Sequence, residues 1–270
     1  MTASISPRAL VSAELRRLAA TRLPMWGSLA ALGSGGFVGL LALVGPENFD
    51  PPAPGLDTAP GVRAVLGLLG LCAFIPALLG TTAVASEYRH RTITTTALFA
   101  PRRWTMLAAK LAAYAIAGLA YGLIAVTVAG AALFGTAAVK GVALGLPTAT
   151  VLALLSRIAV TMAVYTLVGV AVGALIPNQV AAAAILGAYF YMIETALLLV
   201  PGVKELYPYL PGGATAALTG FTFLADALAE QTGGGATSLL SAPLGAAVLL
   251  GYAVVAAVIA VVVPLRRDIT

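Results

Sequence analysis

Long apolar runs alternate with short polar connections along this chain. Six runs, at residues 23–44, 62–85, 107–133, 147–176, 180–200 and 242–263, carry almost no charge. Each is long enough to supply the roughly 20 residues that a helix needs to cross about 30 Å of hydrocarbon. The pattern predicts an all-α integral membrane protein, a six-transmembrane-helix bundle forming a single transmembrane domain over residues 1–270. The first run follows Arg8, Arg16, Arg17 and Arg22. It is longer than the roughly 7–15-residue core of a signal peptide and lacks a clear small-residue cleavage site, so it is read as a retained span. Pro76 interrupts the second run and predicts a kink that frees a carbonyl four residues back. Lys110, at the entrance of the third, is expected to snorkel to the headgroups. The fourth run exceeds a perpendicular span and predicts tilt or an interfacial first turn.

The connections differ in character. Residues 45–60 hold five prolines with Glu47, Asp50 and Asp57, a composition that cannot continue a helix or enter hydrocarbon, and predict a surface loop. Residues 7–23 set Leu10, Val11, Leu15 and Leu18 opposite Arg8, Arg16, Arg17 and Arg22, the pattern of an amphipathic helix lying in the membrane plane. Between the second and third runs, Ile93, Ala97 and Ala100 recur at helical spacing inside a charged segment that Pro101 ends. An interfacial helix and an ordinary basic loop both fit that pattern. Before the last run come Pro201-Gly202, then Tyr207-Pro208-Tyr209-Leu210-Pro211-Gly212-Gly213-Ala214, then a weakly amphipathic stretch at 216–229.

Composition agrees: 60% of the 270 residues are hydrophobic and only 9% charged, against about 25% charged in soluble domains. The few charges then set orientation, because cytoplasmic loops carry the Lys/Arg excess. With both termini inside, eleven basic residues fall on the cytoplasmic side and three, Arg63, Lys140 and Lys204, on the other. The basic pI of 9.6 therefore reports topology, and no basic, aromatic-interleaved soluble domain supports a nucleic-acid partner. A lone cysteine, Cys72, excludes a disulfide framework or cysteine-rich metal site.

The run Glu87-Tyr88-Arg89-His90-x-Thr92, followed by Pro101-Arg102-Arg103 and by Lys110 at the mouth of the third span, resembles the signature between spans two and three of type-2 ATP-binding-cassette (ABC) exporter permeases. Arg91 departs from it, since the family most often has Gly just before the Thr. The resemblance implies that Glu87, Tyr88, Arg89, Thr92, Pro101, Arg102 and Arg103 belong to a cytoplasmic coupling helix resting in a groove of a separate ABC ATPase subunit. Glu87 would pair there with a partner's Arg or cap its own helix. Arg102 and Arg103 would meet the partner's acids or lipid phosphates. The resemblance makes the N-terminal segment a connecting helix that also touches the ATPase, whereas its charge alone fits an anchor to anionic membrane lipids equally well. It makes the segment before span six an external re-entrant cap. It also implies a bacterial cell (plasma) membrane location and a dimer with a second copy or a homologous permease. Many members of that family export drugs, antibiotics or lipids, and an apolar path poor in charge suits an amphipathic small-molecule or lipid cargo.

No G-x-x-x-x-G-K-[ST] sequence occurs, so no P-loop is available in this chain. It is expected to bind no cofactor, not to be an enzyme and to have no ATPase domain, with ATP and Mg used by the partner. The single histidine, His90, lies in the cytoplasmic connection, which removes Ser/His or paired-His chemistry inside the membrane. Arg157 and Glu194 are the ionisable residues deep in spans four and five. Such residues usually face protein or water, and their similar depth admits either an ion pair or a place on the substrate path. Gly35/Gly39, Gly118/Gly122 and Gly169/Gly173 mark close helix packing, with Gly35/Gly39 also a candidate dimer contact. The rival reading is a six-span secondary carrier or a membrane-embedded lipid enzyme acting without an ATPase. A carrier calls for midplane coupling carboxylates and matched broken helices, and an enzyme for clustered acids or histidines.

Overall fold

The stretch Thr148–Leu175 is apolar over most of its circumference, with Arg157 its one charge, and a helix so apolar belongs inside a bundle. In the computed structural model of the chain it is a 28-residue helix whose most apolar window is 67% buried, against 17% for Gln179–Leu197. The structure describes residues 6–50, 52–89, 103–176, 178–198, 200, 204–222, 226 and 238–262. Within them the helices are α1 (Pro7–Ala19), α2 (Leu23–Val44), α3 (Ala59–Leu71), α4 (Phe74–Arg89), α5 (Arg103–Lys140), α6 (Thr148–Leu175), α7 (Gln179–Ala188), α8 (Glu194–Leu198), α9 (Pro211–Thr219) and α10 (Ala242–Val262). No strand occurs among the described residues. Among the described residues, five segments are long and apolar enough to cross a membrane: Leu23–Val44, Ala59–Ala85, Leu107–Lys140, Thr148–Leu175 and Gln179–Leu197. The chain is an all-helical, multi-pass protein.

The central helix α6 packs mainly on α4, α5 and α10, while α2 lies along α5. Small residues bring these axes together. A Cβ at Gly169 would strike the Ala77 carbonyl and one at Gly173 the Thr81 backbone. The Thr81 hydroxyl joins the same two helices, 2.9 Å from the Ala77 carbonyl and 3.1 Å from that of Gly169. Gly118 and Gly122 seat α5 against α6 in the same way. Gly35 and Gly39 face Ala125, Val128 and Ala132 of α5. The surface expected as a dimer contact is therefore consumed inside the chain, where it lets α2 and α5 approach. Outward faces are apolar, as Trp26, Phe37 and Leu40 on α2 and Val254, Val255 and Val258 on α10 illustrate.

The second apolar run is two helices. Pro76 cannot donate to the carbonyl of Cys72, and its ring crowds that carbonyl. The chain breaks at that point, between Leu71 and Phe74, and Pro76 falls in the first turn of α4, where a missing N–H costs nothing. The Cys72 carbonyl accepts instead from the Ile75 N–H at 3.0 Å.

Elsewhere the boundaries move. The third run, expected to end near residue 133, continues as a 38-residue helix to Lys140, about 57 Å at 1.5 Å per residue. Nothing breaks it before Gly141, whose φ of 65° allows the turn that lets the Val142 N–H reach the Ala137 carbonyl at 3.0 Å. The 45–60 loop is only partly on the surface: Ala53 and Leu56 are buried, and the Leu56 carbonyl accepts from the Gly145 N–H at 2.9 Å. Residues 223–225 and 227–229 lie outside the described residues. The first part of the amphipathic 216–229 stretch belongs to a helix that starts earlier, at Pro211, and ends where Gly220 turns left-handed at φ 66°. Proline at its first position supplies the fixed φ and lacks an N–H that would go unused there. Apart from Gly212, every residue of α9 is buried, among α10, α6 and α3.

Candidate functional site

The amphipathic pattern of α1 is realised as docking against the bundle. Ser6 caps the helix by accepting from the Ala9 N–H, and Pro7 opens it. Val11, Leu15 and Leu18 then pack with Leu107 and Leu111 of α5. Glu14 lies on the same face, and its Oε2 is 2.8 Å from Lys110 Nζ, with side chains 14% and 8% exposed respectively. Lys110 thus does not snorkel. Because α1 covers this surface, the ammonium loses water and takes a carboxylate in exchange. Of the residues expected to couple to an ATPase, Glu87, Tyr88 and Arg89 extend α4 to its end and Arg103 opens α5. The side chains of these four, and all of Thr92, Pro101 and Arg102, lie outside the described residues.

A second polar centre is buried in the bundle. After α7 the helix widens into a π turn over Tyr189–Ile193, with the Glu194 N–H reaching the Tyr189 carbonyl. Such turns often accompany functional sites. Phe190, Tyr191 and Glu194 then face one cavity of about 240 Å³, closed on other sides by Phe74, Tyr165 and Tyr207. Glu194 is 3% exposed. Its Oε1 accepts from the Gly212 N–H at 2.5 Å and the Gly213 N–H at 3.3 Å, at the start of α9. Free N–H groups at a helix N-terminus favour a negative charge. Gly212 must be glycine for this contact, since a Cβ there would stand 2.7 Å from the carboxyl carbon.

Tyr165 completes the attachment of α9. Its hydroxyl is 2.6 Å from Thr215 Oγ1 and 3.1 Å from the Pro211 carbonyl. Its ring lies 4.9 Å from Phe190, which meets Phe74 edge-on at 6.4 Å. Phe74 meets Tyr191 at 5.4 Å. The Tyr191 hydroxyl donates to the Leu71 carbonyl at 2.7 Å, a carbonyl left over by the break at Pro76. Burial, and then the Glu194 charge, push the Tyr207 hydroxyl pKa up, so this wall residue stays neutral.

Arg157 and Glu194 are not brought together. Arg157 is exposed on the outer face of α6, and Tyr165 is the α6 side chain that reaches the cavity. Similar depth admits a pair or a shared place on a substrate path, but the pair does not form: Arg157 is on the exposed face of α6 and α9 fills the space beside Glu194. Sequence reasoning passed over Glu14, Tyr165 and the donor role of Gly212 and Gly213. Proline followed by two glycines before an apolar run was the available signal for the last of these. The chain matches no family model and no curated protein.

Proposed function

We propose that the chain is the membrane-spanning permease subunit of an ATP-driven exporter, with α10 as a sixth span, both termini cytoplasmic, α9 as the re-entrant element and a second permease copy across the path. A separate ABC ATPase would bind ATP and Mg and hydrolyse the nucleotide. The carrying observation is the buried Glu14–Lys110 pair. It fastens α1 to the base of α5, the helix that follows the Glu87–Arg103 signature in sequence, so that α1 and α5 would move as one unit. Helix α4 runs without interruption to Arg89 and is keyed to α6 through Gly169 and Gly173. A push delivered near Glu87 would therefore reach the centre of the bundle.

The test is co-purification with a candidate ATPase encoded nearby, followed by Glu87→Lys. Reduced pull-down and reduced ATP-dependent export are expected. Unchanged values for both would sink the coupling role. One observation favours the rival carrier: Glu194 is a buried carboxylate beside a cavity at an irregular helix turn, a setting used for coupling ions. Export that survives ATP depletion and collapses with an ionophore would select that reading.

A further inference from the structure

The Glu194 cavity points to a ligand class. Both hydrogen bonds that Glu194 receives go to Oε1. No buried side-chain oxygen among the described residues lacks a partner, so Oε2, without a bond, retains access to the cavity that Glu194 lines. The helix terminus holds one carboxylate oxygen and leaves the other for an occupant. The surrounding wall is aromatic: Phe74, Phe190, Tyr191, Tyr165 and Tyr207 line it, and the first four pack ring against ring. One carboxylate among aromatic rings suits a diffuse organic monocation, which gains from ring faces and from the opposite charge in a site with little water. It does not suit Ca²⁺ or Mg²⁺, which call for about six oxygen ligands. Anions would be repelled.

From this geometry we infer that the cavity binds the ammonium head of an amphipathic organic cation, paired with Glu194 and stacked against Phe190. At about 240 Å³ it falls below the roughly 300–1,000 Å³ of drug-sized pockets, so it takes a head group and not a whole amphiphile. Tyr191 is 49% exposed on the outward side of the same wall, which leaves a way for an apolar tail toward the lipid. The inference names a cargo class for the transport reading and rests on that reading only for what happens after binding.

The experiment is equilibrium binding of a radiolabelled short-chain alkyltrimethylammonium to the full chain in maltoside micelles, competed with the uncharged isostere in which carbon replaces nitrogen. Saturable binding is expected, with the isostere at least about tenfold weaker. Glu194→Gln keeps an acceptor for Gly212 and Gly213 but removes the charge, and should weaken the cation about tenfold or more without altering the isostere. Phe190→Leu acts on the wall without touching the carboxylate and should weaken the cation severalfold. Equal affinity for cation and isostere, or wild-type cation binding by both variants, overturns the proposal. No ATPase is present in the assay, so failure here leaves the exporter reading standing, and failure of Glu87→Lys to uncouple leaves this binding result standing.

Discussion

Lys110 Nζ of α5 lies 2.8 Å from Glu14 Oε2 of α1, with both side chains largely buried. The ammonium also stands 5.8 Å from the Tyr114 ring centroid. Two charges shielded from water can each be tolerated only with the other present. Removing one partner, as in Glu14→Gln or Lys110→Met, should cost about 3 kcal/mol, the lower end for broken buried pairs. The double variant should cost less than the sum. Thermal unfolding in micelles, arranged as a double-mutant cycle, reads the coupling. Strictly additive effects would show that the pair contributes nothing.

Gly212 offers a sharper test of the second centre. Alanine there would place Cβ 2.7 Å from the Glu194 carboxyl carbon and force the side chain off both N–H groups. A buried acceptor that loses its donors costs about 1–3 kcal/mol. Gly212→Ala should therefore lower stability by that amount, although alanine is the better helix former. A variant as stable as the parent would show that α9 and Glu194 are not held together by these bonds.

The contact of α4 with α6 predicts a contrast between glycines. Gly169→Leu drives a side chain into the Ala77 backbone, and overpacking of this kind typically costs about 1–3 kcal/mol or more. Gly33 of α2 has open space around its missing Cβ. Gly33→Ala should leave stability unchanged or raise it by up to about 1 kcal/mol. Unfolding curves of the two variants should move in opposite directions, or only the first should move.

Hydropathy alone located the first span at Leu23–Val44 and the fourth to within a residue at each end, because a membrane helix must be apolar over its whole length. The effect of Pro76 was also legible, since a missing N–H acts locally. What could not be read were relations set by rotation. Depth along the chain placed Arg157 beside Glu194, yet which face each presents depends on close packing at Gly118, Gly122, Gly169 and Gly173. Lys110 looked like a snorkelling residue because nothing in its own neighbourhood revealed that α1 would lie over it. Pro211, Gly212 and Gly213 gave no local sign that the helix starting there is buried, for the same reason, since the burial of α9 is supplied by α3, α6 and α10.

Arg157 is the remaining case. It sits about 14 Å along α6 from Thr148 at the helical rise, on the exposed face, while Glu194 is satisfied by Gly212 and Gly213. Had the two formed a buried ion pair, loss of either would leave an uncompensated charge at a cost of about 3–5 kcal/mol. In this geometry Arg157→Leu removes only an outward guanidinium, so the chain's stability in micelles should change by less than about 1 kcal/mol. Sites that share no partner also add. The Arg157→Leu and Glu194→Gln double variant should therefore equal the sum of its singles to within about 0.5 kcal/mol, and a larger coupling would restore the direct pair that the fold here separates.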